Sequence, residues 1–182
     1  MGDITPHAAA LIELLSKRVH GIGCEVGVHA GETTVSLLSG LPLICEYHAV
    51  DPWESYEKYN GKTYRKPGHK RLKTWPAVME NFLQATKPYS DKVFTYRMQS
   101  TEAVYEFTDN YFDWIFIDAN HDYPYIKENL EIWTPKVKNG GIVSGHDYDN
   151  GKWVGIKKAV DEFVPKEKLN IIPDCYIWWF IK

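Results

Sequence analysis

Residues 24–31, with the sequence CEVGVHAG, decide the fold of this chain of 182 amino acids. The apolar run at 22–28 has the length of a buried strand and leads directly into Gly27 and Gly31. Residues 33–39 then have a helical pattern, which Gly40 is expected to end. Glycines in such a turn let the backbone approach a ligand closely, and the following helix offers unpaired N–H groups. The stretch therefore predicts a strand, a glycine turn and a helix that begin an α/β domain.

The same alternation continues along the chain. Further strand-like runs are predicted at 44–50, 93–98, 112–117, 142–144, 169–172 and 175–181. The pair Gly140-Gly141 is predicted to be the turn before the run at 142–144. Amphipathic helices are predicted after Thr5-Pro6, after Thr74, near Pro124 and around Ile156. Strands that alternate with helices favour a Rossmann-like, doubly wound α/β fold, in which helices cover both faces of a mostly parallel sheet.

Composition limits the classes of protein that this chain can be. A net charge of −3 and 25% charged residues do not favour a nucleic-acid partner, and 44% hydrophobic residues are enough for one packed domain over 1–182. The longest apolar runs, 114–117 and 176–181, are far shorter than the roughly 20 residues of a membrane span. No basic region precedes an apolar stretch at the start, so no signal peptide is expected. Three cysteines in apolar segments, Cys24, Cys45 and Cys175, indicate reduced core thiols in a cytoplasmic protein.

Ligands of doubly wound sheets bind beyond the carboxyl ends of the strands. Asp51 follows the second strand, twenty residues after Gly31, where its carboxylate could accept hydrogen bonds from both hydroxyls of a ribose. The glycine turn lacks the Gly-x-Gly-x-x-Gly spacing of diphosphate-binding turns. The pattern thus favours a nucleoside without a diphosphate. The alternative is a tight turn and an aspartate that begins a proline-containing loop, with no ligand.

Four segments together resemble the class I S-adenosylmethionine-dependent methyltransferases. They are CEVGVHAG at 24–31, HAVDPW at 48–53, FDWIFIDANHDY at 112–123 and KNGGIVSGHDY at 138–148, and the resemblance covers nearly the whole chain. It implies a seven-stranded sheet whose last strand, 176–181, is antiparallel. The last two segments are most similar to small-molecule O-methyltransferases of the methyltransferase 24 type, which include metal-dependent enzymes acting on sugars of natural products.

The resemblance also implies a cofactor site. S-adenosylmethionine would contact Glu25, Gly27, Val28, His29, Gly31, Asp51, Pro52, Trp53, Gln99, Ser100 and Asp118. In that arrangement the turn surrounds the amino-acid and sugar parts, Asp51 binds the ribose, and the segment that begins at Gln99 lies near the adenine. The expected partner is a small-molecule acceptor, and a homo-oligomer is a further expectation.

Asp118 and Asp147 end two predicted strands. If those strands are neighbours, their ends lie roughly 5 Å apart, and both carboxylates can bind one Mg²⁺ or another divalent cation. Such an ion would hold a hydroxyl and lower its pKa. His146 is the third candidate ligand, provided that the strand has ended before it, because successive strand side chains face opposite ways. The sugar methyltransferases that the chain resembles carry an acidic residue there, so the histidine leaves the metal and its identity open.

His121 lies three residues after Asp118, in the loop before a helix. A neutral imidazole there could take a proton from a substrate hydroxyl near pH 7, which makes His121, Asp118 and Asp147 the catalytic candidates. The alternative is a histidine that only hydrogen-bonds the backbone or holds the segment 146–147 in place.

Residues 53–75 lack apolar periodicity and interleave seven basic residues with three tyrosines. Long loops inside compact domains are often functional, so this segment is interpreted as a lid-like insertion, with a solvated loop as the alternative. Trp53 and Trp153 could stack on a sugar or another ring of the acceptor.

The residues leave three functions open. The leading hypothesis is a methyltransferase that moves a methyl group from S-adenosylmethionine to a hydroxyl of a small molecule, such as a sugar, with or without a metal. The second is an NAD-dependent oxidoreductase, which needs a diphosphate site that the glycine spacing does not supply. The third is a non-catalytic module that binds S-adenosylmethionine.

Overall fold

The computed structural model describes residues 4–17, 21–57, 63–64, 67, 69 and 71–182. The helices are α1 (Pro6–Ser16), α2 (Glu32–Gly40), α3 (Trp75–Thr86), α4 (Ser100–Ala103), α5 (Tyr123–Trp133) and α6 (Val154–Phe163). The strands are β1 (Ile22–Val26), β2 (Glu46–Val50), β3 (Tyr56–Glu57), β4 (Thr63–Tyr64), β5 (Val93–Tyr96), β6 (Phe112–Ile117), β7 (Val137–Gly145), β8 (Asn170–Ile172) and β9 (Ile177–Ile181). Short 3₁₀ turns occupy Lys87–Tyr89, Val104–Glu106, Thr134–Lys136 and Pro173–Cys175.

Seven strands form one sheet in the order β5-β2-β1-β6-β7-β9-β8. The pairs from β5 to β7 are parallel, and β9 runs antiparallel to both of its neighbours. The strand order reverses between β1 and β6, the place where doubly wound sheets bind ligands. The prediction of a mostly parallel seven-stranded sheet with an antiparallel last strand is confirmed.

Apolar helix faces cover the sheet on both sides. On one side Leu11 of α1, Leu37 of α2 and Phe82 of α3 are buried in one apolar cluster. On the other side Leu130 of α5 and Val160 of α6 are buried in a second cluster. This arrangement confirms the predicted helical layers. Among the described residues, no helix has the length and apolar character needed to cross a membrane.

The helix starts depend on local hydrogen bonds. The Thr5 hydroxyl accepts from the N–H of Ala8, and the Thr74 hydroxyl accepts from the N–H of Ala77. A threonine followed by a helix satisfies one of the N–H groups that the first turn leaves unpaired. The cap at Thr5 fixes the first turn of α1, which reaches the candidate site.

Two expectations from the sequence are wrong in detail. The pair Gly140-Gly141 is not a turn before a strand at 142–144, because β7 already begins at Val137 and passes through both glycines. The register with β6 shifts at this point, and a Cβ on Gly141 would lie 2.6 Å from the Asp113 carbonyl oxygen, so the glycines permit an irregular strand. The second error concerns Cys45, which is exposed rather than in the core.

Gly27 directly follows β1 in a left-handed conformation, with φ of +92°. A Cβ there would collide with the Asp118 carbonyl, whereas a Cβ on Gly140, at φ of +83°, meets nothing within 4 Å. Both alanine substitutions carry the left-handed penalty of about 1–2 kcal/mol. We therefore predict that Gly27→Ala lowers the free energy of unfolding by about 1–3 kcal/mol more than Gly140→Ala, measured by urea denaturation. Equal losses would contradict the close packing of this turn against the end of β6.

Candidate functional site

A cavity of about 900 Å³ lies at the carboxyl ends of the parallel strands. Its walls come from the first turn of α1, the turn after β1, the segments after β2, β6 and β7, and the starts of α3, α4 and α5. Of the residues predicted to bind the cofactor, the lining includes Glu25, Gly27, Val28, His29, Asp51, Pro52, Gln99, Ser100 and Asp118. The volume is in the range of small-molecule sites.

The carboxylate of Asp51 joins the turn after β1 to the end of β2. Its Oδ2 accepts from the N–H groups of Val28 and His29 at 3.0 and 2.9 Å, and its Oδ1 accepts from the N–H of Trp53 at 2.7 Å. A carboxylate has about four acceptor positions, so these three bonds leave about one, on Oδ1. Asp51 therefore fixes the turn and, in the wall of the cavity, keeps one further acceptor position for a ligand hydroxyl.

Glu25 is a buried carboxyl in the wall of the same cavity. It is 1% exposed and accepts hydrogen bonds from the hydroxyls of Thr34 and Tyr47. Burial raises its pKa to about 8, and the two hydrogen bonds offset only part of this increase. Glu25 is thus mostly protonated at pH 7, and a cationic ligand nearby would favour its ionised form.

Asp118, His121 and Asp147 form a compact cluster after the ends of β6 and β7, next to the reversal of strand order. Parallel pairing of Ile117 with Gly145 places the ends of β6 and β7 side by side. His121 Nε2 lies 2.7 Å from Asp147 Oδ2 and 3.5 Å from Asp118 Oδ1. One ligand atom from each of the three side chains lies within 4.8 Å of the other two. Two carboxylates and one imidazole at these distances can hold a divalent cation.

The protonation state of His121 differs from the expectation. Burial lowers its pKa, but the hydrogen bonds and charges of Asp118 and Asp147 outweigh burial and raise the pKa to about 9. With no cation bound, the imidazole is therefore protonated near pH 7. A protonated ring cannot accept a proton, so the expectation of a neutral base at His121 does not fit the metal-free site.

His146, the third predicted metal ligand, lies beside this cluster but is not one of its three residues. β7 has ended one residue earlier, so His146 and Asp147 both face the cavity. His146 Nδ1 lies 3.6 Å from Asp118 Oδ2 and 3.5 Å from Asp147 Oδ1. His121 is an additional candidate ligand, because the loop after β6 brings its Nε2 within 2.7 Å of Asp147 Oδ2.

The loop after β7 orients the cluster. Asn150 Nδ2 donates to Asp147 Oδ1 at 2.6 Å, and Asp147 itself is in the left-handed region, with φ of +62°. The Trp153 ring stacks on the His121 ring, with centroids 4.7 Å apart. Trp153 therefore supports a cluster residue, in addition to any acceptor contact predicted for it.

Two residues predicted to bind the cofactor do not line the cavity. Trp53 is 1% exposed, its ring packs against Phe82, and its Nε1 donates to the carbonyl of His29 at 2.7 Å. It therefore braces the glycine turn from behind, and the predicted stacking of Trp53 on a ligand is wrong. Gly31 lies behind the turn as the N-cap of α2, where a Cβ would press on Phe82.

The structure adds lining residues that the sequence did not indicate. They are Thr5, His7, Thr33, Trp75, Tyr125, Glu128 and Asn129, besides neighbours of predicted residues. His7 Nε2 lies 3.0 Å from the Thr33 hydroxyl, and its ring is 4.6 Å from the His146 ring. The spacing of three and four residues between Tyr125, Glu128 and Asn129 marks one helix face and could have identified them.

The structure describes only part of the predicted lid at 53–75. Residues 58–62, 65–66, 68 and 70 lie outside the described residues, as do most of the basic side chains that suggested it. Within the described part, Tyr56 pairs with Tyr64 in a two-stranded hairpin, and Tyr56 also lines the cavity.

Comparison with known proteins gives a family match and several fold matches. A family model described as a methyltransferase domain matches residues 24–148. No curated protein matches the chain.

Three solved structures illustrate the shared fold. An O-methyltransferase from Bacillus cereus, in complex with S-adenosylhomocysteine, is 14% identical, with a TM-score of 0.65, and the match covers 99% of this chain and 83% of that one. The O-methyltransferase TomG from Streptomyces achromogenes, in complex with S-adenosylmethionine, is 13% identical, with a TM-score of 0.65 and coverage of 100% and 83%. CalS11, a TDP-rhamnose 3'-O-methyltransferase, is 18% identical, with a TM-score of 0.62 and coverage of 98% and 81%.

The raised pKa of Glu25 predicts a specific dependence of stability on pH. The folded pKa of about 8 exceeds the ordinary value of 4.5, so the folded state holds a proton that the unfolded state releases between these values. The bound proton of Glu25 makes its full contribution to the free energy of unfolding below about pH 4.5, and this contribution is lost as pH rises to 8. We predict that Glu25→Gln reduces the loss of unfolding free energy between pH 5 and 8 by a few kcal/mol, measured by urea denaturation.

Glu80→Gln, at an exposed position on α3, is the matched control and should leave the pH dependence of the original protein unchanged. Parallel stability curves for the Glu25→Gln variant and the original protein would contradict the buried, protonated state of Glu25.

Proposed function

The chain belongs to the family described as a methyltransferase domain, and from this premise we propose that it moves a methyl group from S-adenosylmethionine to a hydroxyl of a small molecule. One observation carries the proposal. The glycine turn, the Asp51 carboxylate and the cluster of Asp118, His121 and Asp147 all line one cavity. A cofactor site and a site for an acceptor hydroxyl are therefore adjacent, as a direct transfer requires.

The cofactor half of the proposal rests on the acceptors around the turn. S-adenosylmethionine supplies a methyl group on a positively charged sulfur. The proposed role of Asp51 Oδ1 is to accept a ribose hydroxyl, and the proposed role of the backbone of Gly27 and Val28 is to contact the nucleoside. The carboxyl of Glu25 lies in the same wall, and a cationic ligand there would favour its ionised form, whose attraction to the ligand is stronger in a buried site than in water. Gln99 and Ser100 form the wall proposed for the adenine.

The acceptor half of the proposal rests on the carboxylate cluster. Asp118 and Asp147 offer oxygens and His121 offers Nε2 to a divalent cation, which when bound lowers the pKa of an acceptor hydroxyl. With the cation bound, His121 serves as a ligand of the ion. It then no longer carries the proton that it holds beside both carboxylates in the metal-free site. Alignment of the hydroxyl with the methyl group and exclusion of water supply the rest of the rate increase.

The acceptor is proposed to be a polar small molecule, with a sugar hydroxyl as one candidate. The wall beside the cluster carries ring systems and polar groups, among them His7, His146 and Tyr125. Such a surface provides hydrogen bonds and stacking for a hydroxylated ring. Tyr56 and its neighbours at the edge of the cavity are the proposed base of a lid that closes over the acceptor.

Substitution of Asp51 tests the cofactor site. Asp51→Ala should weaken binding of S-adenosylhomocysteine by about 1–3 kcal/mol, or about 5- to 150-fold, because it removes a ligand hydrogen bond and loosens the turn. Isothermal titration gives the affinity. Asp113→Ala is the matched control, since its carboxylate also accepts a backbone N–H, from Ile22 at 2.7 Å, but at the start of β6. Unchanged affinity in Asp51→Ala would contradict the proposed placement.

Two further measurements separate the proposed function from its alternatives. The protein should bind S-adenosylhomocysteine and not NADH, and it should transfer the methyl group of radiolabelled S-adenosylmethionine to at least one member of a panel of hydroxylated small molecules. Binding of NADH alone would indicate an oxidoreductase. Cofactor binding without transfer across sugars, nucleotide sugars and phenols would indicate the non-catalytic module.

A further inference from the structure

Two imidazoles face the paired carboxylates of the cluster from different sides. Each carboxylate turns one oxygen to His121 and the other to His146. The distances to His121 Nε2 are 3.5 Å from Asp118 Oδ1 and 2.7 Å from Asp147 Oδ2. The distances to His146 Nδ1 are 3.6 Å from Asp118 Oδ2 and 3.5 Å from Asp147 Oδ1. The four side chains thus form a closed ring of alternating carboxylates and imidazoles.

These spacings are close to those between ligands on a metal ion. Two ligands at right angles on an ion, with bonds of about 2.1 Å, are about 3.0 Å apart. All four nitrogen–oxygen distances differ from this value by about 0.6 Å or less. His121 and the two carboxylates already have ligand atoms within 4.8 Å of one another, whereas His146 must rotate toward them to reach the same ion.

The chemistry of the donors determines the kind of ion. Mg²⁺ is a hard cation that takes oxygen ligands and retains several waters. Imidazole nitrogen suits zinc, copper, iron and nickel, and affinity for mixed nitrogen and oxygen sites rises along the first transition row. We propose that His121 and His146 make this centre select a first-row transition-metal ion over Mg²⁺. The role of the ion in this inference rests on the proposed function, whereas the binding of the ion does not.

Each imidazole also contacts a neighbouring ring that helps to hold its orientation. The His121 ring stacks on Trp153, with centroids 4.7 Å apart, and the His146 ring lies 4.6 Å from the His7 ring. Asn150 Nδ2 donates to Asp147 Oδ1 at 2.6 Å. Such supporting groups orient metal ligands and lower the cost of assembling them.

The ring remains partly open to the cavity. Of its four side chains, Asp118 is the most exposed, at 26%, and Asp147 is the least exposed, at 15%. An ion held here keeps at least one position for a water or an acceptor hydroxyl, as catalytic metal sites do.

A comparison of the affinities for two ions tests the selectivity. Metal-free protein is saturated with S-adenosylhomocysteine and titrated with Co²⁺ or Mg²⁺ under equilibrium dialysis. We expect Co²⁺ to bind at least about 100-fold more tightly than Mg²⁺. His121→Asp and His146→Asp replace nitrogen by oxygen, so each should reduce this ratio by about 10-fold or more. His69→Gln is the matched control, because His69 contacts Glu32 rather than the carboxylate ring, and its ratio should not change.

A spectroscopic measurement on the unsubstituted protein keeps the test valid if a variant fails to fold. Pulsed EPR of bound Mn²⁺ should show ¹⁴N couplings from directly bound imidazole, and removal of either histidine should weaken them. Equal affinities for Co²⁺ and Mg²⁺, an unchanged ratio in both aspartate variants, or an absence of ¹⁴N couplings would each overturn the inference.

A failure of the ion selectivity can be distinguished from a failure of the proposed function. Binding of S-adenosylhomocysteine is measured first on metal-free protein, and methyl transfer is assayed separately. If the cofactor does not bind, the proposed function fails, while dialysis of the protein without it still tests the ion selectivity. If the cofactor binds and the ratio does not favour Co²⁺, the selectivity fails alone.

Discussion

The hydrogen bonds of the Asp51 carboxylate are the constraint on which the site depends. A single side chain from the end of β2 accepts from the backbone of Val28 and His29 in the turn after β1, and from Trp53 in its own loop. Bonds to a charged acceptor contribute more than neutral ones, about 1.5–3 kcal/mol each where they are shielded from water. They convert two separate loops into one wall. The left-handed conformation of Gly27 permits this geometry, since the same turn must pass close to the end of β6.

The second half of the site depends on the register of two parallel strands. Pairing of Ile117 with Gly145 makes β6 and β7 end at the same level, and a Cβ at Gly145 would lie 2.6 Å from the Ile117 carbonyl oxygen. The side chains that follow are then forced together. Two carboxylates so close repel each other unless a positive charge lies between them. In the metal-free protein the proton on His121 supplies that charge, and a bound cation would replace it. The same electrostatic demand thus explains the pKa of about 9 and the affinity proposed for a metal.

The sequence predicted the structure best where a local pattern alone determines it. The strand at 112–117 was predicted with its observed bounds, because a buried apolar run ends there at a polar residue. Asp51 was placed at the cavity from its position after a strand. Prediction failed where distant contacts decide the outcome. Gly140-Gly141 resembles a turn in sequence, yet the partner strand converts it into an irregularity within β7. The position of Trp53 after a strand suggested an exposed ring, but Phe82 from α3 packs against this ring. The role of His121 was equally ambiguous in the sequence, because its distance from Asp147 after β7 depends on the path of the loop after β6.

The proposed methyl transfer requires that the turn after β1 and Asp51 form the wall that binds the nucleoside. A crystal structure of the protein with S-adenosylhomocysteine would show this wall with its ligand. We expect a ribose hydroxyl within hydrogen-bond distance of Asp51 Oδ1, and the sulfur on the side of the cavity that holds Asp118. Electron density for the ligand elsewhere, or a ribose that does not touch Asp51, would contradict the proposed site.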